Sequence, residues 1–97
     1  MYVSIRRYLV HPNDVPEIAK RVREGFAPIV KKLPGFVSYQ LLDAGDGLVA
    51  SISTFDTEQG ANQSNEAALE WSRKNLTGLI SGIPDVTAGE IVVRTDQ

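Results

Sequence analysis

Asn62 and Asn65 stand one helical turn apart in the stretch "GANQSNEAALEWSRKNL", and Trp71 follows in the same stretch. Amide groups at that spacing can donate hydrogen bonds to a substrate carbonyl or enolate, and an indole can stack on a planar ring. Asn62 reads by default as solvated helix surface, Asn65 less so, and Trp71 reads first as filler for an alanine-rich helix. Near the N-terminus, Arg6 and Tyr8 share one face of "YVSIRRYLV", which presents a cation and a phenol together to an anionic group. The competing reading of that pair is an interface in which Arg6 meets a carboxylate such as Glu90. Tyr39, in "PGFVSYQLL", is expected on the opposite face, toward the helices, and as a proton relay it needs a depressed pKa. Asn65, Tyr39 and Arg6 are therefore the catalytic candidates, and Trp71, Phe26 and Tyr8 the candidates for holding a substrate.

Much other chemistry is excluded by residues that are missing. The chain has no cysteine, so thiolate nucleophiles, iron–sulfur clusters and disulfides are ruled out together. His11 is the only histidine and is followed by proline in a turn, the setting of an exposed loop residue more than of a base. There is no G-x-S-x-G elbow, no phosphate-cradling glycine loop and no paired-histidine metal motif, so neither a metal nor a cofactor is expected. Net charge is −2 and the ten basic residues are scattered, which leaves no footprint for nucleic acid. The third strand, "LVASISTF", carries no positive residue, unlike the central strands of RNA-recognition modules with the same order of elements. No apolar run approaches about 18 residues and no signal-peptide pattern opens the chain, so a cytoplasmic protein without membrane contact is expected. Asn75-Leu76-Thr77 matches the glycosylation sequon by chance on that reading.

The elements that must position these residues follow from periodicity. Residues 2–10 alternate as a first strand, ended by His11-Pro12-Asn13. Asp14 and Glu17 form a capping-box pattern with Pro16 in the first turn, opening a helix whose apolar stripe is Ile18, Val22, Phe26, Ile29 and Leu33. Gly25 and Pro28 predict a kink between residues 24 and 28, either plain curvature or a bend that opens room above the sheet. Strands are expected over 36–42 and 48–55, joined through the hairpin "DAGDG". Asp56 and Gln59 make a second capping-box pattern before a helix over 57–75, whose inner positions Ala61, Asn65, Ala68, Trp71 and Ser72 demand either close packing or a cavity. Residues 76–84 read as a connecting arm and 85–94 as the fourth strand. The order is βαββαβ, an α+β ferredoxin-like domain over residues 1–97, with both helices on one face of a four-stranded antiparallel sheet.

The other face is expected to meet a second copy of the chain. Its composition, with Tyr8, Phe36, Leu42 and Val92 beside Ser, Gln and Arg, is too apolar for water and too polar for a core, which suits a homodimer joined through the sheets.

Nearly the whole chain resembles the dimeric α+β barrel superfamily, in particular its antibiotic-biosynthesis-monooxygenase-like (ABM domain) members. The matching features are "YVSIRRYLV", "LPGFVSYQLL", "LVASISTFDTEQGANQS", "AALEWSRKNL" with Trp71, and "PDVTAGEIVV". The resemblance implies two ferredoxin-like subunits joined into a barrel, with a small-molecule pocket between each sheet and its helices. It implies one of several activities: oxidation of aromatic polyketides by O2 without metal or flavin, haem degradation, or none established. Haem degraders of this family use an Asn on strand one, a Trp on helix two and a His after it. This chain has Arg6 and Arg7, then Trp71, and no His beyond residue 11, so two of the three positions fail. The function implied is a cofactor-independent monooxygenase or related enzyme on an aromatic or enolisable compound; the alternative is a non-catalytic homodimer that binds a small ligand or serves a structural role.

Overall fold

A computed structural model describes residues 1–96. Strand β1 (Tyr2–Val10) leads through a 3-10 turn (Pro12–Asp14) into helix α1 (Val15–Arg21), one π turn (Val22–Phe26) and helix α2 (Ala27–Lys31). Strands β2 (Phe36–Gly45) and β3 (Leu48–Phe55) form a hairpin, and helix α3 (Glu58–Asn75) and strand β4 (Ile80–Glu90) follow. The sheet is antiparallel throughout with order β2-β3-β1-β4, as expected for a ferredoxin-like α+β chain. The hairpin closes through Asp46-Gly47, both at positive φ, the backbone that a twisted two-residue turn requires.

The first helical segment bends where Gly25 and Pro28 predict a kink, but by a different device. Pro28 has no N–H to give to the carbonyl of Glu24, and the chain widens into the π turn just before it, with the Ala27 N–H reaching back to the Val22 carbonyl. The extra residue rotates everything after it. The buried stripe becomes Ile18, Val22, Phe26 and Val30, and Ile29, placed on the stripe by strict helical spacing, is exposed. The caps also differ from expectation. Asp14 makes no side-chain cap; His11 Nδ1 instead accepts from the Asn13 N–H, making it a turn-stabilising residue on the exposed surface. Thr57, not Asp56, caps α3 by accepting from the Gly60 N–H, while the Asp56 N–H is held by the Gly35 carbonyl.

The helices cover the face formed by Ser4, Arg6, Tyr8 and Val10 of β1 and Val49, Ser51, Ser53 and Phe55 of β3. Strand β1 was thus expected the other way round: Arg6 and Tyr8 lie under the helices, and Val3, Ile5 and Leu9 face out. Alternation along a strand separates two faces without saying which is covered. In β2, Val37 is an extra residue bulged out between the pairs Phe36↔Phe55 and Ser38↔Thr54, so Phe36 and Tyr39 both point inward. Ser4 of β1 and Ser53 of β3 are fully buried, and the buried side of α3 is Gly60, Ala61, Ser64 and Ala68; such small residues let α3 lie close to both strands. At Gly60 an added Cβ would sit 2.8 Å from Phe55 Cδ2, so glycine sets that approach.

Strand β4 begins five residues earlier than expected and stops at Glu90; residues 91–96 have no regular structure. Its pairing with β1 jumps from Arg7↔Asp85 to Leu9↔Ser81, so four steps on β4 face two on β1. The surplus emerges as a bulge with Gly82 at φ 70° and Ile83 92% exposed.

Candidate functional site

Pairing across the sheet brings the polar candidates together. One row runs Leu41, Ser51, Arg6, Val86, and the next runs Tyr39, Ser53, Ser4, Ala88, all on the helix-covered face. Tyr39, expected to look away from Arg6 and Tyr8, therefore shares their side. Arg6 is 2% exposed. It does not reach Glu90; its guanidinium donates to Asn65 Oδ1 at 2.6 Å and to Ser53 Oγ at 2.9 Å. Ser4 Oγ donates to the same Asn65 oxygen at 2.5 Å. Asn65 comes down from α3 and is the only one of the two amides that joins the sheet, since Asn62 is exposed, as its default reading had it.

Burying a guanidinium against neutral oxygens is costly, because arginine cannot shed its charge at physiological pH. Among the described residues no carboxylate pairs with Arg6, and its Nε has no hydrogen-bond partner at all. Ser51 Oγ, beside it in the row, is likewise buried and unpaired. The repeated serines of β3 thus serve the covered face, where a row of valines was the simpler choice.

Trp71, Phe26 and Tyr39 stack above this row. Phe26 meets Tyr39 edge-on at 5.4 Å between centroids and Trp71 at 5.7 Å. Gly25 admits the indole: a Cβ there would lie 2.8 Å from Trp71 Cζ2. Together with Tyr8, Ser51 and Ala68 these rings line a cavity of about 20 Å³, which is room for one water and no more. Trp71 is therefore both core and cavity wall, and a ring-sized guest does not fit the cavity as it stands.

Burial pushes the Tyr39 phenol up to about 12, against the nearby positive charge of Arg6, which favours the phenolate but does not offset desolvation. Tyr39 therefore holds its proton, with its pKa above the free value where a relay needs it below. A free phenol in the unfolded chain ionises near 10. Below that pH both states hold the proton and stability is intact; between about pH 10 and 12 only the unfolded chain loses it, so stability falls as pH rises. Alkaline denaturation is expected to show a loss of up to about 2–3 kcal/mol across that window that is absent from Tyr39→Phe. Identical alkaline profiles for the two proteins would contradict the burial of this hydroxyl.

A second concavity adjoins the row. Beside β4, Leu69, Ile83, Pro84 and Val86 wall a groove of about 250 Å³ that Arg6, Tyr8, Asn65 and Glu66 also border, with an almost wholly apolar surface. No signal in the sequence marked this groove, because it depends on the β4 bulge. Among the described residues no three histidine, aspartate or glutamate side chains converge as a metal site.

The chain has a ferredoxin-like α+β fold, a four-stranded antiparallel sheet with its helices on one face and a buried polar cluster between them. No family model and no curated protein sequence matches it. Its fold is shared by a monooxygenase from Streptomyces coelicolor, ActVA-Orf6, solved with nanaomycin D: TM-score 0.78, 19% identity, covering 99% of this chain and 91% of that one. The cofactor-independent oxygenase SnoaB of Streptomyces nogalater aligns with TM-score 0.73 and 16% identity over 99% and 97%. The haem degrader MhuD of Mycobacterium tuberculosis, solved with two haems in its active site, aligns with TM-score 0.77 and 21% identity over 99% and 100%. Others with this fold are of unknown function. No helix among the described residues is long and apolar enough to cross a membrane.

Proposed function

We propose that the chain is a monooxygenase-type enzyme acting without a cofactor on an acidic phenol or enol. The observation that carries this reading is the Arg6–Asn65–Ser4 cluster beside the Tyr39 phenol, a set of donors that stabilises an organic oxyanion and includes no strong base. The substrate loses its O–H proton to solvent, and the anion's electron-rich carbon forms a C–O bond with O2. The peroxide takes up a proton from solvent to give the hydroperoxide; loss of the proton from that carbon to solvent then forms the carbonyl as the O–O bond breaks, and the departing hydroxide leaves as water with a proton from Tyr39, which regains it from solvent. Carbon is oxidised and O2 reduced, so the sum is phenol plus O2 giving quinone plus water. ActVA-Orf6 and SnoaB support this class by their fold.

Oxygen uptake with a panel of hydroxynaphthalenes and anthrones in the presence of EDTA tests it. Substrate-dependent uptake that falls about 10²-fold in Asn65→Ala is expected. Uptake no faster than the blank across the panel would sink the proposal.

The scarcity of acid/base groups around the cluster, where the nearby Tyr39 phenol is pushed up and not down, favours a second reading, a binding protein without turnover. In that case Trp71→Phe alters ligand affinity while no product forms.

We also propose a homodimer through the open sheet face. Leu9, 61% exposed, with Leu42 and the half-buried Ile5↔Ile52 pair, leaves an apolar surface that no helix covers. Sedimentation equilibrium is expected to return two subunits; a single subunit at micromolar concentration removes this part.

A further inference from the structure

Two exposed segments follow one another at the end of the chain. The first is the edge of the sheet. The order β2-β3-β1-β4 leaves β4 with one neighbour, and residues 85–90 pair with β1 in unbroken register, from Arg7↔Asp85 to Tyr2↔Glu90. Their outer side is therefore six residues of regular strand edge with open backbone hydrogen-bonding positions. On the helix side this edge is flanked by the apolar groove, where Ile83 is 92% and Val86 53% exposed. The second segment is the tail. The Ile91 N–H donates to the Met1 carbonyl, so the chain leaves along the line of β4, and Val92 and Val93 beyond it are 85% and 82% exposed. Adjacent valines favour a strand. Residues 90–94, Glu-Ile-Val-Val-Arg, hold no turn former, so nothing brings the tail back onto its own β4.

We infer that the tail, residues 91–96, lies as an added strand along the β4 edge, residues 85–90, of a second copy of the chain, and that the exchange is mutual. The lengths agree, six residues of tail for six of regular edge. The chemistry agrees too, because Val92 enters an almost wholly apolar groove beside Leu69, Ile83 and Val86. Alternation puts Arg94 on the same side as Val92. There the exposed carboxylate of Glu66 borders the groove and has no ion pair among the described residues. Arg94 exchanges its bridge to Asp96, an exposed pair of little weight, for that carboxylate. Ile91 and Val93 point to the other side, that of Ile5 and Leu9, where the sheets of the homodimer face each other. The inference rests on the reading of the chain as a homodimer and adds which segment crosses and where it lands. Arg6, Tyr8 and Asn65 border the same groove, so the partner's tail shuts that flank of the cluster from water and the site is complete only in the dimer.

Photo-crosslinking tests it on the full chain. Val92→p-benzoylphenylalanine is mixed with native chain labelled with 15N, irradiated, and the crosslinked peptides are identified by mass. Crosslinks are expected from the unlabelled tail to Leu69 or residues 83–90 of the labelled chain. Crosslinks confined to the tail's own chain, crosslinks to other parts of the labelled chain, or none at all overturn the inference. Sedimentation equilibrium supplies the second readout. Val92→Asp, at an exposed position of the single chain, is expected to weaken the dimer at least about tenfold, because it puts a carboxylate into an apolar groove. Arg94→Glu is expected to weaken it as well, and Glu66→Arg in the same chain to restore it. A dimer that Val92→Asp leaves as tight as the native one removes this inference and keeps the sheet-face contact. A dimer that survives Leu9→Asp with its crosslinks intact removes the sheet-face contact and keeps the exchanged tail. A native chain that stays a single subunit removes both.

Discussion

Phe55→Ala is expected to cost about 3–5 kcal/mol, read as a lowered midpoint in chemical denaturation with an unchanged slope. Phe55 is fully buried at the end of β3, where its ring meets Phe36 edge-on at 5.9 Å and the backbone of Gly60 closes over it. The upper part of the range applies because its surroundings cannot collapse. Beside it, in the first turn of α3, is Gly60, which has no side chain to lean into the space left. The same contact sets the height at which α3 starts, and Asn65 lies little more than one turn beyond Gly60. Phe55→Leu, which keeps most of the volume, is expected to lose about 1–2 kcal/mol. A loss under about 1 kcal/mol for the alanine would mean that α3 settles onto the sheet without this ring.

How far the site was legible varies with the range of the interaction that sets it. Element order and a hairpin within residues 43–47 follow from local chemistry and were readable from turn residues, though β2 runs on to Gly45; spacing gave Ala61 and Ala68 on the inner face of α3 and missed Gly60 and Ser64. The Asn65–Arg6 contact joins residues 59 positions apart, and Phe36 joins Tyr39 on the covered face only because Val37 bulges out of β2. No one-strand pattern carries such information. Arg6 misled for a physical reason. A charged residue is normally placed on the open face, so the face with Arg6 was taken for the interface, when burying it under α3 is the departure that marks the site. Val30 replacing Ile29 has the same origin: one unseen π turn shifts the phase of every later residue in the helix.

Arg6→Met is expected to raise stability, against the usual direction for a buried substitution. Methionine fills a similar length with an apolar chain and removes a charge that the fold leaves without a counter-ion. Lost with it are the bonds to Asn65 and Ser53. Asn65 keeps its bond from Ser4, so the main debt is one serine hydroxyl, worth about 1–2 kcal/mol, against several for a desolvated guanidinium. The balance is a gain of about 1–4 kcal/mol in the ligand-free protein, measured by denaturation at neutral pH. Ser53→Ala added to Arg6→Met recovers the serine's share and is expected to raise the midpoint further. A loss of more than about 2 kcal/mol in Arg6→Met would show the guanidinium to be a structural strut whose charge is compensated within the fold. A gain would identify it as a charge kept at a cost to stability, which is the mark of a residue retained for what it binds.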